Sequence, residues 1–223
     1  MLLAMDTATR RIGLALYDGV DVRHEVNWAS TNRHTVALSQ AVQDALSQLD
    51  LTMDTLEAVA VATGPGSYTG LRIGVAVAKG LALARHIPLI GIPTLDIIAA
   101  AQPLDPGRKL AAVLEAGRGR YAVGWYQVAD ERWVTNGAAQ LFTADELNEA
   151  IKSPAILAGD LTEEVRAALS RKRVNAQMAS PASSLRRAAF LAELAWARYQ
   201  AGDVDDPVSL VPTYLQTGQN IPQ

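Results

Sequence analysis

Ala62-Thr63-Gly64-Pro65-Gly66-Ser67-Tyr68-Thr69-Gly70-Leu71-Arg72-Ile73-Gly74 decides how this chain is read. The apolar run from Ala58 to Ala62 has the length and composition of a buried strand. The Gly-Pro-Gly step breaks it, and small and aliphatic residues at helical spacing follow from about Thr69 to Arg85. Strand, glycine loop and helix in that order can cradle an anion. Glycines let backbone N–H groups approach it, and the helix dipole favours negative charge. The loop lacks the Gly-Lys-Ser/Thr of a P-loop, and Lys79-Gly80 lies deep in the helix. The loop therefore reads either as a phosphate cradle or as the turn that launches a docking helix.

The first half reads as strand, strand, strand, helix, strand, helix. Leu2 to Asp6 is a short apolar strand. Ile12, Leu14 and Leu16 alternate with smaller residues, Asp18-Gly19 turns the chain, and Val20 to Val26 alternates again, a hairpin signature. Leu38, Val42, Ala45, Leu46 and Leu49 form one helical stripe. The second half repeats the order. Leu110 to Leu114 and Tyr121 to Val128 are strands around Gly117 and Gly119, and Arg132 to Leu141 is a third. Thr143-Ala144-Asp145-Glu146 is a capping box that opens a helix. Ala155 to Ala158 is a strand, Thr162-Glu163-Glu164 opens the next helix, and a longer helix covers Ser184 to Tyr199. From Gly202 onward the chain reads as an irregular strap.

The break Gln102-Pro103-Leu104-Asp105-Pro106-Gly107 divides the chain into lobes 1–102 and 103–223. Two copies of a βββαβα unit predict an α/β protein of two ribonuclease-H-like or actin-like lobes. A generic α+β arrangement is the competitor.

With 223 residues the chain is long enough for a substantial core. Its net charge of −3 gives no global basic field for nucleic acid. Cysteine is absent, which excludes disulfides, thiolate catalysis and cysteine zinc sites. Met1-Leu2-Leu3-Ala4-Met5-Asp6 reaches a carboxylate too soon for a signal peptide. No window of about 20 residues is apolar throughout. The expectation is a soluble cytoplasmic protein without a membrane segment.

Candidate chemistry is sparse. Asp6 and Thr7, in the turn Asp6-Thr7-Ala8-Thr9, carry hard oxygens that suit a magnesium-bound phosphate; the same residues also make ordinary turns. Gly117 and Gly119, in the turn Glu115 to Arg120, would form the second phosphate loop of a two-lobed nucleotide clamp, or simply a hairpin. Gly159-Asp160 is a poor adenine-side loop. The histidines His24, His34 and His86 show no metal-ligand spacing, since Leu38 stands one turn after His34. The surroundings of Ser67 break the Gly-x-Ser-x-Gly pattern at Pro65 and Thr69. No catalytic or metal residue is assigned. The basic run Arg171-Lys172-Arg173 reads as a solvated helix end.

The helix after the loop offers another use. Gly70, Gly74, Ala78 and Ala82 recur every four residues, while Ile73, Val77, Leu81 and Leu83 cover much of the remaining circumference. A helix apolar nearly all round is buried on more than one side. The small-residue face would admit a second helix, bordered by Arg72 and Lys79, or the helix is sandwiched within the monomer. Candidate interface residues are Thr69, Gly70, Arg72, Ile73, Gly74, Val77, Ala78 and Leu81. A docking face of this kind predicts that Gly74→Arg blocks association.

These segments resemble the TsaB, or YeaZ, family. The resemblance rests on Leu3 to Thr9, Arg33-His34-Thr35, Gly64 to Gly74 continuing through Lys79-Gly80-Leu81-Ala82, Gly91 to Leu95, and Pro212-Thr213-Tyr214-Leu215. It implies an actin-like ASKHA fold and a non-catalytic subunit paralogous to TsaD. TsaD is the subunit that transfers threonylcarbamoyl to N6 of adenosine 37 in ANN-decoding tRNAs. TsaD and TsaE are the implied partners, with a homodimer in isolation and tRNA met only through the complex. No cofactor of its own is implied; ATP or ADP would lodge at or near the TsaD interface. The chain departs from the family at Glu115, Gly117 and Arg120, which reverse the charge of a turn implied to meet these partners, and at Gln216. An actin-like ATPase or small-molecule kinase with phosphate loops at Asp6-Thr7 and Gly117-Gly119 is the alternative. A peptidase lacks both nucleophile and zinc motifs.

Overall fold

The computed structural model describes residues 1–29, 34–169 and 175–215, with side chains of the first helix from Leu38 onward. Arg33, the His34 side chain, Arg171, Lys172, Arg173 and Gln216 lie outside the described residues. In chain order the first unit is β1 (Leu2–Asp6), β2 (Arg11–Tyr17), β3 (Val22–Ala29), α1 (His34–Ser47), β4 (Ala58–Gly64), α2 (Tyr68–Arg85), β5 (Leu89–Pro93) and α3 (Thr94–Ala100). The second is β6 (Lys109–Gly117), β7 (Arg120–Ala129), β8 (Arg132–Thr135), β9 (Gln140–Phe142), α4 (Ala144–Ala150), β10 (Ala155–Gly159), α5 (Glu163–Leu169), β11 (Ala176–Met178) and α6 (Ala188–Gln200). The sheets run β3-β2-β1-β4-β5 and β8-β7-β6-β10-β11, with β9 added beside β7. Strand β1 pairs antiparallel with β2 and parallel with β4, as β6 does with β7 and β10. This is the duplicated ribonuclease-H-like topology that the repeat predicts.

Each repeat is longer than βββαβα. It continues through a fifth strand and a third helix, β5 and α3 in one unit, β11 and α6 in the other. Strand β5 is buried on both faces and shows no alternation, and α3 has only seven residues, too few to reveal a helical period. The third strand expected over Arg132 to Leu141 is split into β8 and β9 around Gly137, whose φ is 96°. The last helix begins at Ala188 rather than Ser184.

The third helices explain how the lobes hold together. Alternation along β1 and β4 sends Leu3, Met5, Val59 and Val61 towards α1 and α2, and Leu2, Ala4, Ala58, Ala60 and Ala62 to the other face. That second face is mostly alanine, so a helix can approach closely. Helix α6 does so with Ala188, Leu191, Ala192 and Ala195. Thus α6 comes from the second half of the chain but packs on the first sheet. Helix α3 shows Leu95, Ile98 and Ala99 to the second sheet and Ile97 to the first. The layers are α1 and α2, first sheet, α6 and α3, second sheet, α4 and α5. The split at residue 102 separates the sheets but not the packing.

After α6 the chain does form a strap. Asp205 bridges to Leu89, its carboxylate accepts from the Gly91 amide at 2.7 Å, and Arg198 clamps it at 3.2 Å. Further on, Lys79 Nζ donates to the Val208 carbonyl, and the Thr213 amide donates to the Thr63 carbonyl. The strap thus closes the β5 edge, an edge strand that would otherwise present unpaired backbone groups. Among the described residues no helix is long and apolar enough to cross a membrane.

One polar pair joins α3 to the second sheet: Tyr126 OH donates to Asp96 Oδ1 at 2.6 Å. Burial holds the Asp96 carboxyl above its ordinary value of 3.8, and the tyrosine hydrogen bond offsets part of the rise. A carboxyl whose folded-state pKa is raised favours folding below its unfolded value. That advantage is lost as pH climbs through the raised value. Asp96→Asn keeps an acceptor and removes the buried charge. It should raise Tm at neutral pH by on the order of 2 °C, with the gap narrowing as pH falls towards 3.8. Thermal unfolding across that range checks it; an unchanged or lower Tm at neutral pH would contradict the reading.

Candidate functional site

Four loops meet between the lobes: β1–β2 (Asp6 to Arg11), β4–α2 (Gly64 to Ser67), β6–β7 (Glu115 to Arg120) and β10–α5 (Gly159 to Thr162). They line a cleft of about 870 Å³ whose wall includes Thr9, Arg11, Gly66, Glu115, Gly117 and Asp160. A second cavity of about 710 Å³ adjoins it across Gly66 and Gly117 and is flanked by Arg118, Arg120 and Tyr214. Of the candidate cofactor residues, Gly117 lines the cleft, while Asp6, Thr7 and Gly119 belong to the same turns but not to its wall. The side chains of Asp6 and Thr7, however, are committed elsewhere.

Asp6 is 1% exposed at the end of β1. Its Oδ1 accepts from the Ala8 amide at 2.8 Å, and its Oδ2 accepts from Arg186 Nε at 2.6 Å. Arg186 is equally buried and also donates to Thr9 Oγ1 at 2.8 Å. Burial alone would lower the Arg186 pKa; the charges of Asp6 and Asp160 and the Asp6 hydrogen bond hold it above its ordinary value instead. A carboxylate already neutralised by a guanidinium is a poor ligand for a magnesium ion, which needs free, octahedrally disposed oxygens. Thr7 is fully buried, and its hydroxyl donates to the Gly70 carbonyl at 2.8 Å. It ties the turn to α2.

Amides around the Gly-Pro-Gly loop are in part committed as well. The Ser67 amide donates to the Ala8 carbonyl at 2.6 Å, the Gly64 amide to Thr94 Oγ1 at 3.1 Å, and the Gly70 amide to the Ser67 hydroxyl at 3.3 Å. A phosphate cradle needs such amides free. Gly66 is there because a side chain would collide with Ala8 O. On the other lobe, Arg118 and Gly119 have φ of 55° and 67° between the paired residues Gly117 and Arg120. Two successive positive φ values make a type I′ hairpin, so Gly117 and Gly119 serve a turn. Arg120 of this turn pairs with Glu146 at 3.3 Å. The Asp6 carboxylate, paired with Arg186, does not suit a magnesium ion.

The small-residue stripe of α2 also lies elsewhere than the docking reading requires. Gly70, Gly74, Ala78 and Ala82 are buried in the protein's own core. A side chain at Gly70 would meet Thr7 O, and one at Gly74 would meet Thr7 Oγ1. Gly70 and Gly74 let α2 sit on the β1–β2 turn, and Ala78 and Ala82 pack in the core of the first lobe. Gly74→Arg would therefore disrupt the lobe rather than report on a partner. Of the other candidate interface residues, Thr69 and Arg72 are exposed and Ile73, Val77 and Leu81 half-buried. Arg72 lies 5.0 Å over the Tyr68 ring, which in turn packs on Tyr214 of the strap. The outer side of α2 is apolar as well: Ile73, Ala76, Val77, Gly80, Leu83 and Ala84 run along it, with Leu83 56% exposed.

Arg186 is the site residue that motif reasoning missed. A signal was present. Arg186-Arg187 stands where α6 begins, and cations at a helix N-terminus oppose the dipole. Such a pair implies acidic partners, here Asp6 for Arg186 and Glu25 for Arg187; Glu25 also accepts the Ala189 amide at 3.0 Å. Arg186→Met strands a buried carboxylate and should cost about 3–5 kcal/mol. Asp6→Leu strands the guanidinium at a similar cost, and the double variant should lose clearly less than the sum. Urea unfolding measures all three; additive losses would contradict a coupled pair.

A protein-family model described as TsaD, tRNA N6-adenosine threonylcarbamoyltransferase, matches residues 28–201. The TsaB protein of Escherichia coli is 32% identical over 157 residues, 70% of this chain and 64% of that relative. The TsaB protein of Bacillus subtilis is 36% identical over 126 residues, 56% of this chain and 55% of the relative. The matched stretches thus span less than two thirds of either relative's length. Among solved structures, YeaZ from Pseudomonas aeruginosa aligns with a TM-score of 0.80 and 25% identity, covering 96% of this chain and 99% of that one. With a family match over most of its length and a structural match over nearly all of it, the chain belongs to the TsaB (YeaZ) family, related to TsaD.

Proposed function

We propose that this chain is a non-catalytic docking subunit in tRNA threonylcarbamoyladenosine biosynthesis, supporting TsaD as it transfers threonylcarbamoyl to N6 of adenosine 37 of ANN-decoding tRNAs. The observation that carries the reading is the Asp6–Arg186 ion pair, which occupies the carboxylate an actin-like enzyme would use. The names of the relatives supply the pathway. In this reading any ATP or ADP in the assembly is held by a partner or at the contact with TsaD. TsaE is a further partner, a homodimer forms in isolation, tRNA is met through the complex, and the setting is cytoplasmic.

The docking surface in this reading is the outer face of α2 rather than its glycine stripe. Ile73, Ala76, Val77, Gly80 and Leu83 recur at helical spacing, and nothing lies within 4 Å of a side chain built at Gly80. Small residues flanked by larger apolar ones let a second helix pack closely. Removal of the chain from a reconstituted TsaD reaction should abolish or sharply reduce tRNA modification; full activity without it would refute the proposal. Ala76→Arg, on the exposed side, should leave Tm unchanged while weakening association with TsaD and with a second copy by at least about tenfold. Sedimentation of the mixed proteins reads this out. Undiminished assembly would place the interface elsewhere.

A further inference from the structure

Beside the large cleft, a recess of about 220 Å³ lies where the two lobes meet. Its wall holds Arg11 from β2, Asp160 after β10, Arg166 from α5, and Ser184 and Arg186 before α6. Three arginines thus line one recess. Arg186 is neutralised by Asp6, yet its Nη1 makes no hydrogen bond among the described residues. Arg166 is half-buried and donates through Nε to the Leu161 carbonyl at 2.9 Å and through Nη1 towards the Met178 sulfur. Neither Arg166 nor Arg11 has a carboxylate partner among the described residues. Asp160 is the single acid in the wall, and its Oδ2 already accepts from the Glu115 amide at 3.1 Å. The Ser184 hydroxyl is buried without a partner.

The recess therefore has surplus donors and surplus positive charge. Buried donors without acceptors are costly. Water can accept their hydrogen bonds but leaves the charge unbalanced. A tetrahedral oxyanion supplies both, because guanidinium forks match its paired oxygens. Sites for drug-sized molecules run from about 300 Å³ upwards, so the recess suits an ion and not a whole nucleotide. We propose that it binds a small free oxyanion of the phosphate class. Such an ion bridges Arg166 of the second lobe to Arg186, which is anchored on the first, and so clamps the lobes together. The site is independent of the docking reading: either can fail without the other.

Calorimetric titration of the full chain with inorganic phosphate tests it, with sodium chloride and AMP as comparison titrants at matched ionic strength. Saturable binding of one phosphate is expected, weakened about tenfold in Arg166→Gln and severalfold in Ser184→Ala. It should be unaltered in Arg108→Gln, a surface change on the linker. Ser184→Ala removes one hydroxyl and keeps the test open if Arg166→Gln fails to fold. AMP should bind no more tightly than phosphate. Heats that chloride reproduces, or phosphate affinity unchanged in the variants, would overturn the site. AMP binding more tightly than phosphate would overturn the assignment to a free ion.

Discussion

The buried pair of Asp6 and Arg186 is the contact on which the rest of the architecture turns. Asp6 ends the central strand of the first sheet, and Arg186 precedes the helix that crosses back from the second half of the chain. A guanidinium and a carboxylate this deeply buried must be paired, since either alone would be strongly destabilising. Their pairing fixes where α6 starts, and α6 fills the alanine-lined face of the first sheet. The same guanidinium senses Asp160 at the end of β10 in the second sheet.

This arrangement carries a functional consequence. In a two-lobed clamp, phosphate chemistry requires a free carboxylate at the first turn, free amides at the loop after β4, and lobes able to close on a ligand. Here the carboxylate is salt-bridged, the amides of Gly64, Ser67 and Gly70 are bonded internally, and α3 and α6 fill the space between the sheets. The strap adds a further restraint by joining β5, α2 and the end of β4. The outer face of α2 is left apolar and exposed. That balance favours recognition of another protein over turnover.

Much of this was legible in the sequence, for physical reasons that differ by element. The Asp18-Gly19 hairpin and the Thr143–Glu146 capping box are local chemistry, and both formed as read. The duplicated strand order was readable because each unit alternates period two and period 3.6. Strand β5 and helix α3 were not, being short and buried. The glycine stripe misled because its spacing defines a smooth face without saying what lies against it; the occupant is Thr7, distant in sequence and adjacent in space. Arg186 escaped for the same reason. Its partner lies 180 residues away, and only its unfavourable place at a helix start hinted at an acid.

The central claim is that Asp6 is committed to Arg186 and unavailable to a metal-bound nucleotide. Calorimetry of the unmodified chain with ATP, in the presence and absence of magnesium, tests it most directly. No magnesium-dependent binding and no hydrolysis are expected. Tight magnesium-dependent binding that disappears in Asp6→Ala would contradict it.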